Sequence, residues 1–287
     1  MPDEVDWTIL PGLSERFRFS RSEKMISQAL RIDFTADHGP RRGIVKLRRR
    51  WQTEPMKCDR SPYHGHRFPA EIISHAIWHY YRFCLSFRDV EDLLAKRGII
   101  VSYETIRQWC LKFGPEYARR LKRRQGRLGD TWFLDEVFLT INGKRQYLWR
   151  AVDQDGDVID ILVQSRRNRR AAERFFLKLL KGQGKVPFRL VTDKLKSYGA
   201  ALRTIMPSVN HATDQYANNR AEVSHQPTRQ RERQMRRFKS PAQTQRFLSV
   251  HGLVLNLFRL ARHRLKSAHH RMLRERSFAT WSAVTAG

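Results

Sequence analysis

The chain has 287 residues, room for one large domain or two ordinary ones, and 40% are hydrophobic, enough for a core and too many for wholesale disorder. Its 56 lysines and arginines against 28 acids give a formal net charge of +28, which points to a polyanionic partner, nucleic acid ahead of an anionic membrane surface. No apolar run is long enough to span a bilayer and none follows the start as a secretory signal would, so no membrane partner and a cytoplasmic, nucleoid-associated protein are expected.

Residues 1–60 lack sustained periodicity and carry a basic run from Arg41 to Arg50, the pattern of a poorly ordered basic arm. Met56 stands just before the organised region and is a candidate alternative start. Cys58, Cys84 and Cys110 are widely spaced and odd in number, so they read as reduced thiols with no zinc pattern.

A helical domain is expected over 61–125. After Pro69, Ile72, Ile73, Ala76, Ile77 and Tyr80 fall on one helical face. Ser86 with Asp89 three residues on is a capping box opening a short helix from Phe87 to Lys96, closed by Gly98. Ser102 caps a second helix from Tyr103 to Phe113, which Gly114-Pro115 is expected to stop. Two short helices about a glycine-containing turn form a helix-turn-helix pattern, its second helix presenting Tyr103, Thr105, Arg107, Gln108 and Lys112 to DNA. The same spacing also suits an ordinary helical hairpin; the basic charge favours DNA. His75 and His79 have a metal-capable spacing without the glutamate of a zinc-hydrolase motif, and an ordinary pair is expected.

Beyond the glycines at 126 and 129 the pattern changes to strands, over a domain expected at 126–265 with a basic tail at 266–287. Thr131–Ile141 is nearly solid with apolar and β-branched residues but holds Asp135 and Glu136 on opposite faces. Asn142-Gly143 is a strong hairpin signal leading into Tyr147–Val152, and Asp155-Gly156 turns into Val158–Gln164. Asp153, Asp155, Asp157 and Asp160 read as solvated turn residues or hairpin caps. A helix over about 170–180 crosses to Phe188–Asp193, a strand most simply parallel to an earlier one. An antiparallel three-stranded meander, a helix and a parallel strand open the ribonuclease-H-like α/β architecture, a mixed sheet flanked by helices, in which the fourth strand lies beside the first.

That topology brings Asp193 near Asp135. Two close carboxylates repel unless a cation lies between them, and oxygen ligands without a Cys or His cluster favour Mg²⁺, with Mn²⁺ also suited. Glu222 is the nearest downstream candidate for a third acid, followed by a basic helical strip through Arg229 and Arg233. The residues alone leave other readings open. Asp135 could pair across the strands with Arg150, Asn219 with Glu222 could form a capping box, and Asp193 could cap the next segment.

At Trp132-Phe133-Leu134-Asp135-Glu136, Val191-Thr192-Asp193-Lys194 and Asn218-Asn219-Arg220-Ala221-Glu222, the chain resembles the DDE transposases of bacterial insertion sequences, and within them the insertion sequence 6 family. The likeness runs from about Tyr63 to about Arg271 and includes Tyr147–Asp153 and Ser224–Arg229. It implies that Asp135, Asp193 and Glu222 are the catalytic, metal-binding triad, with Lys194, Lys196, Arg229 and Arg233 on phosphates. It also implies a homodimer that binds terminal inverted repeats in double-stranded DNA, cleaves the strand and joins the freed 3′-OH to target DNA, with no small-molecule substrate. The 28 residues between Asp193 and Glu222 are fewer than is common among DDE enzymes. A stand-alone nuclease or resolvase on the same fold, and a DNA-binding regulator without catalysis, are the competing functions.

Overall fold

The computed structural model describes residues 61–126, 128–213, 218–260 and 265–286, with only the backbone of Arg220. The expected N-terminal arm, with Cys58 and Met56, lies outside the described residues.

Three helices come first: α1 (Ala70–Arg82), α2 (Phe87–Ala95) and α3 (Tyr103–Arg124). α1 buries Ile73, Ala76, Ile77 and Tyr80 as its periodicity predicts. The Ser86–Asp89 capping box forms in both directions, and Ser102 accepts from Thr105 N–H, so the two short helices begin where their caps direct. One expectation fails here. Gly114-Pro115 does not stop α3, which continues through both residues to Arg124. Proline at 115 removes one i→i−4 bond, to the Leu111 carbonyl, but Leu111 is 42% exposed and water can replace that donor. Gly114 serves a close approach: a Cβ there would stand 3.0 Å from the Tyr81 hydroxyl oxygen. His75 and His79 make a T-shaped ring pair at 4.2 Å, and burial with the neighbouring His79 lowers the His75 pKa to about 4. Cys110 is buried and Cys84 partly so, both as free thiols.

The sheet follows, in the order β3-β2-β1-β4-β5. β1 (Thr131–Ile141), β2 (Lys144–Asp153) and β3 (Val158–Gln164) form the antiparallel meander. Asn142 and Gly143 both adopt positive φ, as the tight turn between β1 and β2 requires. After α4 (Arg169–Gln183), β4 (Arg189–Thr192) pairs parallel to β1. α5 (Lys196–Ile205) and β5 (Asn210–Ala212), a further parallel edge strand, complete the sheet. This is the ribonuclease-H-like arrangement, a mixed sheet flanked by helices. Then come α6 (Asn219–Ser224), α7 (Gln226–Gln234), α8 (Pro241–Phe258) and α9 (Ser267–Thr285). The basic segment from 266 is thus a helix, held by buried Leu273, Trp281 and Val284.

The two faces of β1 lie in separate cores. Phe133, Val137, Leu139 and Ile141 join the cluster built with α8 and helices α1 to α3, whereas Trp132 and Leu134 join the one built with α4 and α5. Asp153 is buried and accepts from the N–H groups of Gly129, Asp155 and Asp157, a hairpin cap as expected. Asp160 instead pairs with Lys122 and Lys178. Among the described residues no helix is long and apolar enough to cross a membrane.

Candidate active site

The parallel ladder between β1 and β4 ends at the pair Leu134 and Thr192. The next residue on each strand is an aspartate, so Asp135 and Asp193 emerge side by side where the strands part. Glu136 follows, and ligand atoms of Asp135, Glu136 and Asp193 all lie within 4.8 Å of one another. Three oxygen donors this close suit a hard divalent cation. Burial raises the Asp193 pKa; the Leu195 N–H lowers it, Asp135 raises it and Arg167 lowers it.

Glu136 was passed over in the sequence because the family motif points to Asp135. Its side chain is only 1% exposed, and burial pushes its pKa up to about 7 against the pull of its partners. Tyr198 of α5 donates its hydroxyl to one carboxylate oxygen and Arg167 donates Nε to the other. Arg167 also reaches Asp193 Oδ2 at 3.4 Å. Tyr198 lies five residues after Asp193, and Asp193 Oδ1 accepts from Leu195 N–H at 3.1 Å, so Glu136 anchors the turn that carries Asp193. Arg167 and Tyr198 had no sequence signal, since their role depends on a crossover that local periodicity does not encode.

Asp135 has a different neighbour. Arg150 faces it in the ladder, as the hairpin register predicts, but makes no ion pair with it. The fully buried Arg150 guanidinium turns instead to α6 and α7, donating to the Ser224 carbonyl and, at 2.6 Å, to Thr228 Oγ1. That grip seats His225, whose Nε2 stands 3.4 Å from Asp135 Oδ2, an ion-pair separation rather than a well-formed hydrogen bond. Burial lowers the His225 pKa, and Arg150 and Arg229 add to this against the opposing pull of Asp135. A neutral imidazole leaves the Asp135 charge available to a cation.

Glu222 does not join this carboxylate cluster: it is exposed on α6, and no metal-sized group among the described residues includes it. The alternative Asn219 capping box does not form; Asn218 stands at the helix start and donates Nδ2 to the Leu134 carbonyl at 2.8 Å. That bond ties α6 to β1 one residue before Asp135. Lys194, Lys196 and Arg233 are exposed, while Arg229 bonds Glu232 at 2.9 Å and lies over the Phe138 ring. On α3, Tyr103, Gln108 and Lys112 are exposed and Thr105 and Arg107 partly so. Glu104 holds Arg107 through two hydrogen bonds and Gln108 through one, a contact set the sequence reading missed. Lys112 Nζ lies 2.8 Å from His66 Nε2, and Thr105 Oγ1 lies 3.0 Å from Ser102 Oγ.

A family model described as "DDE domain" matches residues 129–261. The transposase for insertion sequence-like element IS431mec of Staphylococcus aureus (strain Mu50) is 30% identical over 164 residues, 55% of this chain and 73% of that protein. The transposase for insertion sequence element IS257 in transposon Tn4003, also of Staphylococcus aureus, matches at the same identity and coverage. Among solved structures, the HTLV-2 integrase catalytic core domain in complex with magnesium is similar at 13% identity and a TM-score of 0.33, over 47% of this chain and 90% of that one. The chain belongs to the insertion sequence 6 family of DDE transposases, polynucleotidyl transferases that act on DNA.

Proposed function

We propose that this transposase binds the terminal inverted repeats of its own insertion sequence, cleaves the strand at each end and joins the freed 3′-OH to target DNA. The observation that carries the reading is the pairing of β1 with β4, which delivers Asp135 and Asp193 to one point at the end of their ladder. Asp135, Asp193 and Glu222 are the proposed ligands of Mg²⁺, the last brought in from α6, which Asn218 already fastens beside Asp135. A divalent cation bound there supplies charge that favours ionisation of the attacking hydroxyl and stabilises the leaving 3′ oxygen. The protein orients the phosphodiester: Lys194, Lys196, Arg229 and Arg233 hold flanking phosphates, and α3 reads the repeat through Tyr103, Thr105, Arg107, Gln108 and Lys112. Two ends must be held together, so the working unit is a homodimer.

The test is a duplex carrying the repeat that flanks the gene, incubated with target plasmid and Mg²⁺. Joined products support the reading; cleavage without joining makes the protein a nuclease, and binding without cleavage makes it a regulator. Removing one phosphate contact with Lys194→Ala or Lys196→Ala should weaken binding across sequences alike and reduce the slope of log affinity against log salt by about one. Glu136→Gln keeps the side-chain shape but loses the charge facing Arg167. Because it positions Asp193, its expected effect is about a 10- to 100-fold loss of Mn²⁺ affinity, read by calorimetry without DNA.

A further inference from the structure

We infer that Phe138, with Arg145 and Arg229, forms a seat for an unpaired nucleobase of the DNA end being processed. This rests on the strand-transfer reading above and names what that site receives. Phe138 lies two residues beyond Glu136 on the same face of β1, and it is 54% exposed although β1 is the central strand. No other large apolar side chain within a strand is so exposed among the described residues. The reason is topological. β4 pairs with β1 only as far as Leu134, and the α4–α5 layer covers the Trp132 and Leu134 end, so Phe138 stands past both. Ligands of open α/β sheets gather in the crevice outside the carboxyl ends of parallel strands, where β4 delivers Asp193.

Two cations converge on this ring. The Arg145 guanidinium, diagonal to Phe138 across the β1–β2 ladder, lies 5.1 Å from the ring centroid, and that of Arg229 from α7 lies 5.5 Å away. An exposed contact of this kind is weak, so either arginine can leave the ring for a phosphate while the ring takes a base. An aromatic platform beside guanidinium groups is the chemistry of single-strand binding: every base has a face to stack, and every linkage a charge to neutralise. At about 3.4 Å of rise per residue, Phe138 is roughly 7 Å along the strand from Glu136, the carboxylate of the cluster on its own face. A base seated there belongs to a nucleotide close to the phosphate undergoing reaction.

The full chain is mixed with a duplex bearing a short unpaired 3′ overhang, 2-aminopurine at each overhang position in turn, and with the fully paired duplex, in Ca²⁺ to prevent cutting. Wild-type protein should quench the fluorophore at one position. Phe138→Ala should lose that quenching and weaken overhang binding about tenfold or more, with paired-duplex binding unchanged, and Phe138→Trp should restore both. Arg145→Gln should lower the salt slope for the overhang duplex alone. Equal quenching and affinity in Phe138→Ala would overturn the inference. So would a change in oligomeric state by light scattering with overhang affinity intact, which assigns Phe138 to a contact between copies. Wild-type protein that binds both duplexes without preference sinks this inference only; protein that binds neither sinks the transposase reading with it.

Discussion

Asp135→Asn and Asp193→Asn should each reduce strand transfer by about a thousandfold or more, because charge stabilisation worth several kcal/mol is lost and each 1.36 kcal/mol is tenfold in rate. Both variants should still shift a repeat-bearing duplex in a gel, since the proposed DNA-reading residues belong to α3 and not to the sheet whose strands carry the acids. A second readout needs no turnover. Mn²⁺ should raise the melting temperature of the DNA-free wild type by selective binding to the native state, and both variants should lose that increment. Glu222→Gln should behave differently. Glu222 stands outside the cluster in the free chain, so its loss should leave the Mn²⁺ increment nearly intact while abolishing strand transfer once DNA is present. Strand transfer retained in Glu222→Gln would move the third-ligand role to Glu136.

The second large effect concerns stability against pH. Burial, with Asp153 and Asp155 close by, raises the Asp157 pKa from 3.8 to about 7, with Arg259 opposing. A carboxyl with a folded-state pKa above its unfolded value binds its proton more tightly when folded. Its contribution is therefore fully present below about pH 4 and lost as pH rises through about 7. At 1.36 kcal/mol per pKa unit this amounts to roughly 4 kcal/mol as an upper figure. Asp157→Asn holds the group neutral at every pH. The difference in denaturant stability between variant and wild type should grow in favour of the variant between pH 4 and 8, by about 2 to 4 kcal/mol. A flat difference across that range would show that the carboxyl is already hydrated in the native state. Comparing the two proteins matters because His75 and His251, both lowered by burial to about 4, act in the opposite direction as pH falls.

Much of this arrangement is legible in the sequence wherever a local rule coincides with a tertiary need. β1 has the expected limits, because its apolar run ends at an Asn-Gly turn that fixes both the hairpin and the facing of Asp135 and Arg150. The caps at Ser86 and Ser102 work for the same reason. Local rules mislead where a partner changes their meaning. Gly114 makes room for Tyr81, and the helix runs on. Arg150 faces Asp135 yet serves the α6–α7 junction, because a long buried guanidinium follows its hydrogen bonds rather than its register. β5 is three residues long with little apolar signal, and only pairing with β4 makes it a strand. The Glu136, Arg167 and Tyr198 contacts join a strand, a loop and a helix, and no single stretch of sequence contains them.

The ladder that ends at Leu134 and Thr192 also bears on how this protein tolerates insertions and deletions. The separation of the two aspartates is set by backbone pairing across the sheet, not by the length of chain between them. Residues added in the Asp155-Gly156 turn, or at the end of α4 around Gly184, leave the ladder untouched and should be neutral at the site. One residue added inside β4 is another matter. It shifts the register by a single step of about 3.4 Å and reverses which sheet face each following side chain meets. Asp193 would then leave its neighbour, and the proposed metal site would be lost from a chain of nearly unchanged composition. On the proposed mechanism, the loss or gain of one codon within this short strand would be enough to silence strand transfer.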